Sequence, residues 1–301
     1  MIVYDRLSAL CPDIALHGQV PLAPCTTLRV GGKADVFAEP ENEEQLKALL
    51  SAAWQAEVPV LLLGNGSNLL IKDGGFRGLA VRLGKKFSAI TVTGNEIYAQ
   101  AGALLSALSR AARDASLTGL EFAQGIPGTV GGGVYMNAGA YGGELGKFVT
   151  SVRVLDGDGI RDISGSDMAF AYRHTRAMEE QWIILGASFH LETGNMEMIE
   201  FAMRDYAARR KEKQPLEYPS AGSFFKRPTG YFAGKLIEDA GLKGARVGGA
   251  QVSEKHAGFL VNRGGATAKD FLALKTLVQD TVKEKFGVQL EPEVRIVGED
   301  A

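Results

Sequence analysis

The sequence has 301 residues, with 33 Lys or Arg against 35 Asp or Glu, so its formal net charge is only −2. This length favours two or three domains, and 46% hydrophobic with 23% charged residues is typical of a globular protein. The balanced charge argues against a nucleic-acid partner, and Cys11, Cys25 and four scattered histidines form neither a disulfide framework nor a metal-ligand pattern.

The N-terminal residues lack the basic region and the apolar segment of a signal peptide. No apolar run along the chain approaches the roughly 18–20 residues that cross a bilayer. We therefore expect a cytoplasmic protein with no membrane insertion and no bound metal.

The first third of the chain alternates helix and strand signals. Asn42 is a suitable N-cap for a helix over residues 43–55, and residues 58–63 form an apolar run typical of a buried strand. Further strands are predicted over residues 79–83, 90–92 and 97–101, and a helix over residues 103–115.

The remaining elements are predicted by turn and cap residues. The Asp-Gly pairs at 156–159 favour a hairpin because they tolerate positive φ, and an apolar strand follows at 182–189. Asn195 opens a helix that ends in a basic run near Lys213. Two more helices are expected at 233–240 and 268–286, the second capped by Thr267, and a final strand at 288–298. The predicted class is α+β.

Two glycine-rich segments indicate a bound dinucleotide. In the first, a predicted strand runs into Gly64, Asn65, Gly66, Ser67 and Asn68, whose consecutive N–H groups could surround an anion. A plain tight turn is the alternative interpretation. Neither GxGxxG before a helix nor GxxxxGK[ST] is present, which disfavours a Rossmann fold and a P-loop.

The second segment has eight glycines in the 19 positions from 125 to 143. Each glycine costs ordering entropy, so such a stretch needs a reason. The apolar residues between the glycines argue against disorder. Close approach of the backbone to a large flat ligand is the favoured interpretation.

Several motifs then resemble one known family. The two glycine segments and PLAPCTTLRVGGKADVFAEP are similar to the UDP-N-acetylenolpyruvoylglucosamine reductase, or MurB, family of peptidoglycan synthesis. Its later signatures occur in order as AYRHT, PSAGSFFKRP, GKLIEDAGLKG, KHAGFLVN and LEPEVRIVG. The resemblance covers nearly the whole chain, and the short length resembles the type II subclass.

The resemblance implies a fold and a cofactor. The fold is a two-subdomain FAD-binding fold of the vanillyl-alcohol oxidase and p-cresol methylhydroxylase type, at residues 1–85 and 86–195, plus a substrate domain at 196–301. FAD is bound non-covalently, its pyrophosphate at residues 64–68 and its flavin against Thr129 and Gly132. Cys25 departs from the larger residue that family members often have, and only a modest local change is expected there.

The implied reaction is the NADPH-dependent reduction of UDP-N-acetylglucosamine enolpyruvate to UDP-N-acetylmuramate, by a monomer. It needs a proton donor, a cation for the developing carboxylate charge and a group that tunes them. The resemblance assigns these roles to Ser223, Arg173 and Glu293. Without it, a turn serine, a surface arginine and a solvated carboxylate are the simpler interpretations.

The resemblance also implies cationic and polar side chains for substrate binding, and the candidates are Tyr172, Lys213, Lys226, Arg227 and His256. Lys226 and Arg227 are favoured because they follow Ser223 closely. Lys213 has the alternative of a solvated helix end, and His256 that of a structural histidine. Two rival functions remain open: a flavoprotein oxidase of the same fold, and a nucleotide-sugar binding protein without catalysis.

Overall fold

The computed structural model describes residues 2–301, and of Ile2 it describes the backbone alone. The described chain forms two compact units. The first unit contains the residues up to Ala38 together with Ala48–Val81 and Lys211–Ala301, and the second contains Glu39–Lys47 and Arg82–Arg210. The three-segment division at residues 85 and 195 stays a prediction.

The helices for which the sequence indicated a cap residue begin directly after that residue. In chain order they are α1 (Ile2–Leu10), α2 (Glu43–Gln55), α3 (Leu105–Asp114), α4 (Val130–Tyr135), α5 (Arg176–Glu179), α6 (Met196–Lys213), α7 (Ala233–Asp239) and α8 (Ala268–Phe286). Asn42 Oδ1 accepts the Gln45 N–H at 2.9 Å before α2, and Asn195 Oδ1 accepts the Glu197 N–H at 2.9 Å before α6. Both predicted N-caps are therefore confirmed.

Helix α8 shows most clearly why these residues are helical. Thr267 Oγ1 accepts the Asp270 N–H, while the Asp270 carboxylate accepts the Thr267 N–H, so the predicted cap is a complete capping box. Gly287 ends the helix at φ 68°, a left-handed conformation suited to glycine. The buried face of the helix contains Phe271, Leu274, Val278 and Val282. Helices α1, α4 and α5 are additional to the predicted ones.

Short strands make up the rest of the regular structure. They are β1 (Leu16–Pro21), β2 (Lys33–Ala38), β3 (Val60–Leu63), β4 (Leu69–Ile71), β5 (Phe76–Arg82), β6 (Ile90–Thr93), β7 (Glu96–Gln100), β8 (Leu117–Thr118), β9 (Gly139–Ala140), β10 (Gly143–Glu144), β11 (Val149–Asp156), β12 (Gly159–Ser164), β13 (Ile183–His190), β14 (Glu192–Thr193), β15 (Ser220–Ser223), β16 (Arg246–Val247), β17 (Ala250–Val252), β18 (Phe259–Asn262) and β19 (Arg295–Val297).

One predicted strand is much shorter than expected. The sequence predicted a strand over 288–298, but β19 covers only Arg295–Val297, and an isolated bridge between Phe225 and Pro292 precedes it. Around Pro292 the segment pairs with residues 224–226, through hydrogen bonds of 2.8 Å from Lys226 N–H to the Glu291 carbonyl and 2.9 Å from Glu293 N–H to the Phe224 carbonyl. It then changes partner to β4, which explains why no single regular strand spans 288–298. Glu291 and Glu293 therefore lie outside the strands.

The first unit contains three sheets. One has the strand order β1-β2-β5-β3, with β2 and β5 parallel, and another has the antiparallel order β15-β18-β17-β16. Strands β4 and β19 form a parallel pair. Side chains of α7, α8, β17 and β18 share one hydrophobic core with Leu28, Val30 and Leu70, so the residues flanking the first glycine loop are anchored in it.

The second unit is built on one antiparallel sheet in the order β12-β11-β13-β7-β6. The predicted hairpin is confirmed, since Asp156 pairs with Gly159 between β11 and β12. Helices α3 and α4 contribute to the hydrophobic core against this sheet. The mixture of helices with mainly antiparallel sheets confirms the predicted α+β class. Within residues 2–301, no helix has the length and apolar character required to cross a membrane.

Candidate active site

The loop at residues 64–68 lies in the first unit, between β3 and β4. Gly66 has φ 58°, and an added Cβ would collide with the Cys25 carbonyl oxygen. The Thr27 N–H donates to the Gly66 carbonyl at 3.3 Å. Only glycine fits this combination of left-handed backbone and close main-chain contact. The loop is therefore held directly against residues 25–27.

Polar groups of this loop are available for a ligand. Within residues 2–301, the N–H groups of Gly66 and Ser67 donate no hydrogen bond to a protein acceptor. The neighbouring Thr27 hydroxyl oxygen is buried and has no hydrogen-bond partner in the described chain. Since buried polar groups are normally paired, these donors fit an anion such as the FAD pyrophosphate.

The same loop is connected to the segment that contains Glu293. Asn68 Nδ2 donates to the Glu293 carbonyl at 3.1 Å, and the Arg295 N–H donates to the Asn68 carbonyl at 3.0 Å. Immediately beyond these contacts, β4 and β19 pair in parallel. The structure thus brings two predicted site residues, Asn68 and Glu293, together.

A strand irregularity places Ser223 beside this segment. Gly222 has φ 74°, and the register of β15 against β18 shifts between Ser220 and Ser223. Such bulges redirect a side chain, and Ser223 is exposed at the end of the strand. The Glu293 N–H donates to the carbonyl of Phe224 at 2.9 Å, so Ser223 and Glu293 lie on adjacent backbones.

Phe224 holds the backbones of Ser223 and Glu293 in this arrangement. Its side chain is fully buried and stacks on Phe271 of α8 with ring centroids 6.5 Å apart. Its N–H donates to the Gly258 carbonyl at 2.8 Å, while its own carbonyl accepts from Glu293. A buried aromatic residue held on both sides gives Ser223 a rigid attachment.

The two cations that follow Ser223 are exposed and already have partners. Lys226 Nζ lies 3.4 Å from Glu291 Oε2, and the Arg227 guanidinium carbon lies 3.9 Å from the Phe232 ring centroid. Lys213, the last residue of α6, is also exposed. Their predicted substrate roles are neither confirmed nor contradicted by these contacts.

His256 lies in a turn of the first unit. Its Nδ1 accepts the Gly258 N–H at 3.1 Å, and its ring meets Phe259 edge-on at a centroid distance of 4.8 Å. Burial lowers the pKa of this imidazole below its ordinary value. These contacts fit a neutral imidazole that carries its proton on Nε2. They agree with the alternative interpretation of His256 as a structural histidine, and they leave the Nε2–H able to donate a hydrogen bond.

In the second unit, Thr129 and Gly132 lie at the start of α4. The Val130 N–H donates to the Ala103 carbonyl at 2.7 Å, and the Gly131 N–H to the Ala101 carbonyl at 2.8 Å, so these amides are occupied. Gly132 is exposed, and an added Cβ would meet nothing closer than Thr129 Oγ1 at 3.7 Å. This surface can therefore accommodate a flat group.

Arg173 lies in a tight turn of the second unit. Ala171 and His174 exchange backbone hydrogen bonds of 3.0 and 3.2 Å around Tyr172 and Arg173, and Arg173 has φ 54°. Its guanidinium donates to the Gly139 carbonyl at 3.3 Å and lies 5.0 Å from the Tyr172 ring centroid. Left-handed backbone is uncommon for residues other than glycine and occurs often at functional sites.

The sequence-based prediction missed three polar residues of these surroundings: Thr27, Gln124 and Asn137. Thr27 lies in a quoted motif but had no assigned role, and Gln124 Oε1, like the Thr27 hydroxyl, is buried without a partner among residues 2–301. Asn137 is buried and bonded to the Arg173 turn. The sequence offered no specific signal for them, because single Thr, Gln and Asn residues are common throughout the chain.

Sequence comparisons identify related proteins. The C-terminal domain of UDP-N-acetylenolpyruvoylglucosamine reductase matches residues 214–297, and an FAD binding domain matches residues 34–164. UDP-N-acetylenolpyruvoylglucosamine reductase 2 of Bacillus cereus is 51% identical over 99% of this chain and 98% of its own. The UDP-N-acetylenolpyruvoylglucosamine reductase of Caldanaerobacter subterraneus is 50% identical over 99% of both chains.

Solved structures agree with these relationships. The UDP-N-acetylenolpyruvylglucosamine reductase (MurB) of Thermus caldophilus superimposes with a TM-score of 0.81 at 36% identity, covering 94% of this chain and 98% of its own. A variant of Phl p 4, a glucose oxidase, aligns with a TM-score of 0.50 at 18% identity, over 64% of this chain and 44% of its own. The second similarity concerns the fold alone and agrees with the predicted oxidase-type FAD-binding fold.

Proposed function

The chain belongs to the UDP-N-acetylenolpyruvoylglucosamine reductase family, and we propose that it reduces UDP-N-acetylglucosamine enolpyruvate to UDP-N-acetylmuramate with NADPH as the hydride donor. It is an FAD-dependent oxidoreductase of peptidoglycan precursor synthesis. The observation that carries the specific proposal is a cluster in the first unit. The segment of Glu293 is hydrogen-bonded both to the strand end beside Ser223 and to Asn68, in the loop whose Gly66 and Ser67 N–H groups have no protein acceptor within residues 2–301.

Each FAD-binding role is assigned to residues that have a suitable surface. We propose that the loop of residues 64–68 and the Thr27 hydroxyl hold the pyrophosphate, because the N–H groups of Gly66 and Ser67 and the Thr27 hydroxyl have no protein partner within residues 2–301. Thr129 and Gly132 take the flavin, since an open surface lies beside Gly132. When bound, FAD stores the hydride between oxidation of NADPH and reduction of the substrate.

The substrate half-reaction needs a proton at the carbon next to the one that receives hydride. Ser223 supplies this proton from its hydroxyl in our proposal. A serine hydroxyl is a weak acid, but the carbanionic intermediate is strongly basic, so the transfer is reasonable. Ser223 is exposed, so solvent can return the proton afterwards, and in our proposal Glu293, on the adjacent backbone, orients that exchange.

The negative charge that develops on the substrate before protonation must also be stabilised. Arg173 pairs with the substrate carboxylate, whose negative charge extends into the enolate as hydride is added. Lys226 and Arg227 then bind the anionic groups of the substrate, with Lys213, Tyr172 and His256 as further candidates. For His256, a donor at Nε2 is the role that its hydrogen bonding permits.

We also propose that the protein acts as a monomer in the cytoplasm, where the nucleotide substrate and NADPH are both dissolved. Size-exclusion chromatography with light scattering tests the first part of this statement. A stable dimer would contradict it.

The decisive experiment separates the two half-reactions. The purified protein should be yellow, and anaerobic NADPH should reduce its flavin, which UDP-N-acetylglucosamine enolpyruvate then reoxidises. In Ser223→Ala, NADPH should reduce the flavin at nearly the wild-type rate, while reoxidation by the substrate falls by about 100-fold or more. Stopped-flow flavin absorbance measures both rates.

Ser220→Ala is the matched control, because Ser220 opens the same strand but lies before the bulge at Gly222. It should keep both rates. Equal damage to both half-reactions in Ser223→Ala would refute the proton-donor role. Oxygen-dependent turnover without the UDP-sugar would instead indicate an oxidase, and a colourless protein that FAD cannot reconstitute would indicate a binding protein.

A further inference from the structure

Asn137 is a buried amide at the end of the helix α4 segment. Only 1% of its surface is exposed, and its φ of 43° is left-handed. Its Oδ1 accepts the Gly146 N–H at 2.9 Å, and its Nδ2 donates to the Ala171 carbonyl at 3.0 Å. The Glu144 carboxylate is a more distant acceptor of the same Nδ2, at 3.4 Å. Both ends of the amide are thus used, which fixes its orientation.

These contacts hold the turn that carries Arg173. Ala171 opens this turn, and its carbonyl accepts from both His174 N–H and Asn137 Nδ2. The main-chain carbonyl of Asn137 accepts from Arg173 Nη1 at 3.5 Å. One residue therefore contacts the base of the turn through its side chain and the guanidinium through its backbone.

A left-handed arginine needs such support. Placing a non-glycine residue at positive φ costs free energy, and a long side chain loses rotamer freedom when it is fixed. Without its tether, the turn would lose its defined position and Arg173 would sample many orientations. Catalytic charge stabilisation depends on a cation that is already in place before charge develops.

We propose that Asn137 is a positioning residue for the reduction step, acting through Arg173. The inference rests on the proposed function, because it gives Arg173 a catalytic partner in the substrate carboxylate. It goes further by assigning the orientation of Arg173 to a specific buried amide 36 residues earlier in the chain.

Two substitutions test this role. Asn137→Gly keeps the left-handed backbone accessible and removes the amide, whereas Asn137→Asp keeps the acceptor for Gly146 but removes the donor to Ala171. In both, NADPH should reduce the flavin at a rate within about twofold of wild type. Reoxidation of the flavin at saturating substrate should fall by about 100-fold, the size of effect that misplacing a catalytic group produces.

Thr175→Val is the matched control. The Thr175 hydroxyl donates to the Tyr135 carbonyl at 2.9 Å, so it connects the same two segments from a residue outside the 171–174 turn. It should lower thermal stability, as Asn137→Gly does, but leave flavin reoxidation within about threefold of wild type. Equal slowing of reoxidation by both substitutions would show that any tether between these segments suffices, and would overturn the inference.

A double-mutant cycle separates positioning from general stability. Arg173→Gly removes the guanidinium and tolerates the same φ. If Asn137 acts through Arg173, adding Asn137→Gly to Arg173→Gly should slow reoxidation no further, although thermal stability still drops. Independent, multiplying losses of rate would contradict the inference.

The wild-type protein distinguishes this failure from that of the proposed function. If UDP-N-acetylglucosamine enolpyruvate does not reoxidise the reduced flavin of wild type, the proposed function and the inference both fail. If wild type reacts and Arg173→Gly is slow while Asn137→Gly is normal, the inference alone fails.

Discussion

Gly66, in the loop after β3, and Gly131, in the first turn of α4, both lie where an added Cβ would collide, but with different neighbours. At Gly66 the obstacle is the backbone of Cys25 and Thr26, and φ is 58°. At Gly131 it is the Cβ of Ala101, 2.8 Å away, within an ordinary right-handed helix. The first glycine serves a strained loop, and the second lets a short helix approach its sheet closely.

The comparison corrects the interpretation of the second glycine segment. Its abundance of glycine was attributed to a flat ligand, yet at most of these positions an added Cβ would lie within 3 Å of another residue: Arg210 at Gly125, Ala101 at Gly131, Leu105 at Gly133, Gly143 at Gly139, and Phe122 at Gly143. Gly132, in α4, and Gly142, outside the helix, differ because open space lies beside them. Glycine content therefore reports tight internal packing here, and only one helical position is suited to a ligand.

The largest effect should follow Gly66→Ala. An alanine at this φ costs about 1–2 kcal/mol, and a collision with rigid backbone adds about 1–3 kcal/mol, so we expect about 3 kcal/mol of lost stability together with poor FAD retention. Thermal unfolding of the apoprotein and flavin absorbance of the purified protein measure the two losses.

Gly94→Ala is the control for Gly66→Ala. Gly94 has nearly the same φ, 57°, but no atom lies within 4 Å of an added Cβ. It should therefore lose only the backbone term of about 1–2 kcal/mol and keep FAD. Equal losses in the two variants would show that contact with Cys25 does not constrain the loop.

Thr27→Val should have a smaller effect than Gly66→Ala, and it should not lower the stability of the apoprotein. This substitution removes a buried hydroxyl that has no partner within residues 2–301, so the apoprotein should be at least as stable as wild type. If the hydroxyl binds the pyrophosphate, FAD affinity should fall by about 1.5 kcal/mol, roughly tenfold. Titration of apoprotein with FAD, followed by flavin fluorescence, measures this change.

Thr26→Val provides the contrast within the same motif. The Thr26 hydroxyl lies 3.2 Å from the carbonyl oxygens of both Ala23 and Val30, which share its one hydrogen, so its loss should destabilise the apoprotein by about 1 kcal/mol. FAD affinity measured on the folded fraction should stay near wild type. Unchanged affinity in Thr27→Val would remove this residue from the FAD site.

Local signals explain how much of the fold was predictable. Caps at Asn42, Asn195 and Thr267 are formed within four residues of the helix they begin, so the sequence alone contains them. The strand at 288–298 was wrong because this segment pairs first with residues 224–226 and then with β4, and no local pattern shows such a change of partner. Local contacts such as helix caps could thus be predicted from the sequence, whereas the extent of strand pairing could not.

The site was predictable in residue type but not in geometry. Ser223, Arg173 and Glu293 came from resemblance, since each alone is equally typical of a turn or a surface. The bulge at Gly222 and the link from Asn68 to Glu293, 225 residues apart, depend on tertiary pairing that no local pattern encodes. The same holds for the partners of Asn137.

The smallest effect should follow Gly132→Ala, and it tests the second segment directly. Alanine in a helix is favoured over glycine by roughly 0.5–1 kcal/mol, and open space beside Gly132 leaves this gain intact, so the apoprotein should unfold at a slightly higher temperature. FAD should bind more weakly, because the new methyl group occupies the surface proposed for the flavin. Gly131→Ala, which meets Ala101, should instead destabilise the apoprotein. If Gly132→Ala leaves FAD affinity unchanged, the flavin does not lie against this helix, and the last glycine assigned to a ligand would also belong to the protein's own packing.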